Sequence, residues 1–208
     1  SLRNQPLTVC GGPAGSGKTF LVTAVAMEKL LSNEVSRVII TRPVVEAGEN
    51  LGFLPGTLEQ KLDPYLLPLM DAIEDHIGPT MTKKLMESKK IEIAPLAFMR
   101  GRTFNECFVI LDEAQNATVK QMKMFLTRMG YSSSFAINGD TTQSDLELPR
   151  GDTENGLQYA IRKLKGRDEN ISYIEFTNRD VVRSHMVQRI LALLDSPDHR
   201  TSGVLSDS

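Results

Sequence analysis

The sequence predicts a three-layer α/β/α domain on a mostly parallel central sheet. Three observations point to it. Apolar, strand-like runs alternate with helix-like segments along the chain. Those runs are apolar at nearly every position, as in strands covered on both faces. Parallel neighbours need crossover connections, and right-handed crossovers place helices on both sides of the sheet. The chain has 208 residues, 40% hydrophobic and 24% charged. That is ordinary globular composition and enough for one full core. The expected organisation is one domain over 1–195 and a polar tail over 196–208.

The elements follow in order. LTVC at 7–10 ends in two glycines and reads as a buried strand feeding a glycine loop. Residues 20–31 lack Gly and Pro and read as a helix buried on most sides. VIIT at 38–41 is a second strand, stopped by Pro43. After a Gly/Pro-rich stretch, 57–77 has helical spacing, with Pro64 and Pro68 expected to break or kink it. A short polar helix over 80–88 and a strand over 91–94 come next. CFVIL at 107–111 is the most apolar strand and ends in Asp112-Glu113. Residues 119–129 form an amphipathic helix with Met122, Phe125, Leu126 and Met129 on one face. A strand over 135–138 ends in Gly139-Asp140. A helix over 153–164, a strand over 171–176 and a last amphipathic helix over 180–194 complete the set.

Gly12, Pro13, Ala14, Gly15, Ser16, Gly17, Lys18 and Thr19 match G-x-x-x-x-G-K-[ST] at every fixed position. A triphosphate is a dense negative charge and needs donors at close range. Glycines let the loop curl its N–H groups inward, and the helix behind it adds the positive end of its dipole. Lys18 is placed to reach the β- and γ-phosphates, and the Thr19 hydroxyl to reach Mg²⁺. The apolar strand before Asp112 carries a carboxylate to the edge of the sheet where ligands of α/β proteins sit. Asp112 is then a second Mg²⁺ ligand, through water. Glu113 is placed to activate an attacking water. Gln143 can sense or position the γ-phosphate, and Asp140 can tie it to the site. Arg183 would stabilise charge on the transferred phosphoryl group. Arg42, Arg100 and Arg102 are further candidates for an anion. The predicted cofactors are therefore ATP and Mg²⁺. No Asn-Lys-x-Asp segment for guanine is present.

Composition excludes some functions. The net charge of −2 gives no bulk sign of nucleic-acid binding. The basic clusters at 83–84, 89–90 and 162–167 read as solvated helix faces. No apolar run approaches the roughly 20 residues that cross a bilayer. Cys10 and Cys107 lie in apolar strands and read as buried reduced thiols, which fits a cytoplasmic protein. His76, His185 and His199 show no metal spacing.

Beyond the phosphate loop, the chain resembles the PhoH-like (phosphate-starvation-inducible) P-loop ATPases. The resemblance is carried by GPAGSGKT (12–19), TRPVVEAGENLGFLPG (41–56), QKLDPYLLPLMDAI (60–73), APLAFMRGRTFNECFVILDEAQNAT (94–118), QMKMFLTRMG (121–130), GDTTQ (139–143) and DVVR (180–183). The stretch after GDTTQ, SDLELPR, is longer than the family's usual DLPRG. The family is similar to the first motor domain of superfamily 1 helicases. That likeness implies ATP hydrolysis with RNA or single-stranded nucleic acid as a partner. Helicases close the ATP cleft with arginines from a second lobe. A single lobe must draw on its own arginine or a neighbour's, so a homo-oligomer with Arg183 or Arg102 as the finger is expected. The rival readings are an ATP-sensing module with little turnover and a small-molecule kinase on the same loop.

Overall fold

The computed structural model describes residues 1–44, 58–148 and 150–180, with the side chains of 58–65 and Asn178 left aside. Its strands are β1 (Leu7–Gly11), β2 (Arg37–Arg42), β3 (Ile91–Pro95), β4 (Cys107–Leu111), β5 (Ser134–Gly139) and β6 (Ile171–Glu175). They form one six-stranded sheet in the order β3-β2-β4-β5-β1-β6. Every pairing in it is parallel. The helices are α1 (Lys18–Leu31), α2 (Leu58–Ile77), α3 (Pro79–Glu87), α4 (Val119–Leu126) and α5 (Gly156–Leu164).

The continuously apolar strands have a simple use. Successive side chains point to opposite faces, and each face has its own core. Leu7, Val9, Ile39, Val109, Leu111, Phe135 and Ile137 pack on α4 and α5 through Met122, Phe125, Leu157 and Ala160. Their neighbours Cys10, Val38, Ile40, Phe108, Ile110 and Ala136 pack on α1, α2 and α3 through Val22, Ala26, Ile73 and Leu85. The result is the three-layer architecture the sequence predicts.

Four details differ from the sequence expectations. Helix α1 is less buried than expected: Phe20, Leu21 and Leu31 are about half exposed. Helix α2 runs for 20 residues through Pro64 and Pro68, so of the expected break or kink the break is absent. These prolines are four positions apart, so the two missing N–H donors fall on one side of the helix. Pro68 is exposed, where water can reach the freed carbonyl. Helix α4 ends at Leu126 instead of 129. There the chain passes within contact of Phe104, and a Cβ on Gly130 would lie 2.5 Å from the Phe104 carbonyl oxygen. Helix α5 starts at Gly156 instead of 153, because Asn155 and Gln158 form a reciprocal cap.

Both cysteines are free and buried. Burial pushes the Cys10 thiol up to about 12. The Gly/Pro-rich stretch, the predicted last helix beyond Asp180 and the tail lie outside the described residues. No described helix is long and apolar enough to cross a membrane.

Candidate functional site

The strand order sets the site. β5 lies between β1 and β4, so the loops after these three strands open side by side at the carboxyl edge. Gly12 N–H donates to the Gly139 carbonyl at 3.3 Å, and Asp112 N–H to the Thr41 carbonyl at 2.9 Å. The loops enclose a cleft of about 350 Å³. It is lined by the P-loop from Ala14 to Thr19 and by Asp112, Glu113, Gln115, Asp140 and Gln143.

The P-loop holds itself in shape. Gly12 has φ +149°, and a Cβ there would meet the Phe176 carbonyl at 2.5 Å, so only glycine fits. Gly17 has a left-handed backbone and leads into α1. The Ser16 hydroxyl donates to the Pro13 carbonyl at 2.8 Å. Lys18 Nζ donates to the Gly12 and Pro13 carbonyls at 2.8 and 2.7 Å, and to Ser16 Oγ at 3.2 Å. Burial lowers the Lys18 pKa, opposed by the carboxylates of Asp140, Glu113 and Asp112. A phosphate arriving in this loop meets a cation already pointed into it.

Opposite stands the acid pair. The Thr19 hydroxyl donates to Asp112 Oδ1 at 2.7 Å. Asp112 is buried, and that burial raises its pKa, as does the charge of Glu113. The Thr19 hydroxyl, the Arg42 charge and the Asn138 amide pull the other way. The Thr19 hydroxyl and the buried Asp112 carboxylate are neighbouring hard oxygen donors, which suits Mg²⁺. Among the described residues no cluster of three or more His, Cys, Asp or Glu forms a metal cage. Mg²⁺ in phosphate-binding loops does not need one, because phosphate oxygens and waters complete its shell.

Glu113 sits in the left-handed region, φ 51° and ψ 42°. For a residue with a Cβ this is a strained backbone, and such strain gathers at functional turns. Its carboxylate accepts from Arg42 Nη2 at 2.9 Å and from Gln115 Nε2 at 2.5 Å. Arg42 also lies 3.9 Å from Asp112 Oδ2. The Gln115 carbonyl in turn accepts the Asp140 N–H at 2.9 Å. Asp140 Oδ2 accepts from the Ala14 N–H at 2.8 Å. Its Oδ1 accepts from Thr142 and from the Gln143 N–H. Burial works against its ionisation, yet these donors from Thr142, Ala14 and Gln143 together hold its pKa below the usual value. Asp140 therefore ties Gln143 to the P-loop. The longer loop after β5 folds against the 115–116 turn: Ser144 Oγ donates to the Gln115 main-chain carbonyl and Asp145 N–H to Asn116 Oδ1, each at 2.9 Å.

The P-loop, Asp112, Glu113 and Gln143 thus meet in one cleft. Arg183 lies outside the described residues. Arg102 is turned elsewhere: its guanidinium grips both Glu92 oxygens, at 2.5 and 2.7 Å, over the Phe104 ring. Lys83, Lys84 and Lys163 are exposed, while Arg162 pairs with Glu154 and lies over the Tyr159 ring. Sequence reasoning assigned no role to Gln115 or Asn116. Their signal is faint, two amides in a polar run after a buried strand.

Comparisons with known proteins bear on the family and the fold. The chain matches the family of PhoH-like proteins over residues 1–195. It is 53% identical over 195 residues to the PhoH-like protein of Bacillus subtilis, covering 94% of this chain and 60% of that protein. Against the PhoH-like protein of Mycobacterium tuberculosis strain H37Rv the figures are 53% over 180 residues, 86% and 50%. Against Protein PhoH of Escherichia coli K12 they are 45% over 193 residues, 92% and 53%. The chain spans about half the length of the curated relatives it matches. Among solved structures, the large terminase of a thermophilic bacteriophage superposes with a TM-score of 0.52 at 10% identity, over 95% of this chain and 47% of that one. The same terminase in complex with ADP gives 0.51 at 10% identity, over 95% and 46%. At such identity the likeness concerns the fold alone. By its match to the family over residues 1–195, this chain belongs to the PhoH-like proteins.

Proposed function

We propose that this chain binds ATP with Mg²⁺ and hydrolyses it. The observation that carries the reading is the opposition, across one cleft, of the Lys18 cation and the Asp112–Glu113 acid pair. Lys18 and the loop amides hold the phosphates. Thr19 and Asp112 would hold the metal, which would supply positive charge against that of the phosphates. Glu113 takes a proton from a water whose oxygen attacks the γ-phosphorus. The bond from that phosphorus to the bridging oxygen breaks, and ADP leaves with its pair of electrons. Gln143, tethered through Asp140, would sense or position the γ-phosphate. Arg183, from the same or a neighbouring copy of the chain, is our proposed finger. A cytoplasmic setting and RNA or single-stranded nucleic acid as the coupled partner complete the proposal.

The test is steady-state phosphate release with ATP and Mg²⁺, with and without single-stranded RNA. Glu113→Gln is expected to bind ATP while its kcat falls about 10² to 10⁴-fold. A parent protein that binds ATP and releases no phosphate in either condition would sink the hydrolase reading and leave the sensor. Phosphate transfer seen only with an added acceptor would favour the kinase.

A further inference from the structure

Beneath the cleft lies a polar side chain that the reading above leaves unused. Asn138 stands next to the end of β5 and is 1% exposed. On one side it pairs with Cys10 of β1. On the other, β4 ends at Leu111, opposite Ile137, and runs on into Asp112. Side chains alternate along a strand, so Asn138 shares a face with Cys10, Ile110 and Ala136. That is the face covered by α1. Asp112, two residues beyond Ile110, turns to the same side, where its Oδ1 accepts from the Thr19 hydroxyl. Neither the amide nitrogen nor the amide oxygen of Asn138 completes a hydrogen bond. A buried amide left so is costly, and Val or Ile would suit the strand without that cost. Asn138 is nevertheless one of the groups that favour the ionised form of Asp112. The amide therefore stands beside the one carboxylate of the metal site, in a position that packing alone would fill with a hydrocarbon.

We infer that Asn138 is a positioning residue of the metal site: its amide steadies the Asp112 carboxylate in the orientation from which that carboxylate meets Mg²⁺. The inference rests on the Mg²⁺–nucleotide reading above and deepens it. Asn138 does not line the cleft, so it acts through Asp112 and not on the metal. The Thr19 hydroxyl fixes one oxygen of the carboxylate, which leaves the plane of the group free to turn about that bond. A second polar neighbour from the adjoining strand fixes the plane. Side chains that orient metal ligands in this way change metal affinity about 10- to 100-fold when they are replaced. The phosphate grip is built separately, from Lys18 and the loop amides, so losing the amide should weaken the metal and spare the nucleotide.

The experiment compares the parent chain with Asn138→Val and Asn138→Thr, two side chains of one shape that differ by a hydroxyl. Calorimetry measures the affinity of each for the β,γ-imido analogue of ATP, once in Mg²⁺ and once in EDTA, with a thermal melt of each protein. In the parent, Mg²⁺ is expected to tighten binding. In Asn138→Val that gain should shrink about tenfold, while the affinity in EDTA stays within about twofold of the parent's. Asn138→Thr keeps a polar atom beside Asp112 and should recover part of the gain. A folded Asn138→Val with the parent's full gain from Mg²⁺ overturns the inference and leaves the metal reading standing. Equal losses in the valine and threonine variants overturn it too, because shape and not polarity would then be what Asn138 supplies. If Asn138→Val does not fold, Asn138→Ala takes its place beside the threonine variant and is judged by the same two measurements. Should the parent itself gain nothing from Mg²⁺, the metal reading fails and takes this inference with it.

Discussion

In the P-loop, Ser16 and Lys18 bond back to Gly12 and Pro13, a few residues away. In the turn after β4, Glu113 and Gln115 reach Arg42 and Asp140, which come from other strands. One wall of the cleft is braced mostly from within, with added ties from Gly12, Ala14 and Thr19 to Gly139, Asp140 and Asp112, and the other is suspended from its surroundings. The difference teaches which half can be adjusted. A loop whose lysine and serine bond within it keeps much of its shape when distant parts move. A suspended carboxylate feels the position of β2 on one side and of the loop after β5 on the other.

Three substitutions would break or sharpen that contrast. The largest effect is expected from Lys18→Ala, which removes the cation of the internally braced wall. ATP affinity and kcat/KM should both fall, the latter by about 10² to 10³-fold. Nucleotide titration read beside phosphate release checks this, and an unchanged affinity would contradict it. Next comes Gln115→Leu on the suspended wall. It leaves the Asp140 N–H without its acceptor, at about 1–3 kcal/mol of stability. It should lower kcat about tenfold while shifting ATP affinity far less. Equal losses in both would mean the two walls are one mechanical unit.

The smallest effect belongs to Glu92→Gln, a control remote from both walls. Arg102 donates to Glu92 and holds its carboxyl below the ordinary value near 4.5, against the opposing effect of burial. A depressed carboxyl contributes stability above the unfolded pKa and loses it as pH falls through the folded one. The parent's advantage over Glu92→Gln should therefore be present near neutrality and shrink below about pH 4.5. The pair is about one third exposed, so the advantage should stay near 1 kcal/mol or less. Melting temperatures across that range measure it, and kcat should not change.

The same contrast explains what the sequence made legible. Strands and the P-loop follow from local pattern: apolar runs, glycines and a lysine at fixed spacing. The ties of the suspended wall are between residues far apart in the chain. Arg42 and Glu113 are brought together because β2 pairs with β4, and the order of strands is not written in any one segment. Gln115 meets Asp140 because β5 lies beside β4. Element ends were misjudged for a related reason. The stop of α4 depends on the close approach of Phe104 to Gly130, and the start of α5 on the Asn155 side chain choosing cap over helix. The prolines of α2 suggested a break because propensity was weighed without the exposed side on which Pro68 lies.

The placement of β1 also governs how the molecule is made. Its two neighbours are β5, from Ser134, and β6, from Ile171. A ribosome finishes β1 first and supplies its partners only after most of the domain has followed, a delay on the order of ten seconds. Through that interval the glycine loop has no sheet behind it and Lys18 no buried place to stand. Nucleotide cannot serve as an early folding template for these strands; the loop that would grip it waits on β5 and β6, and pairings of such long sequence separation fold slowly.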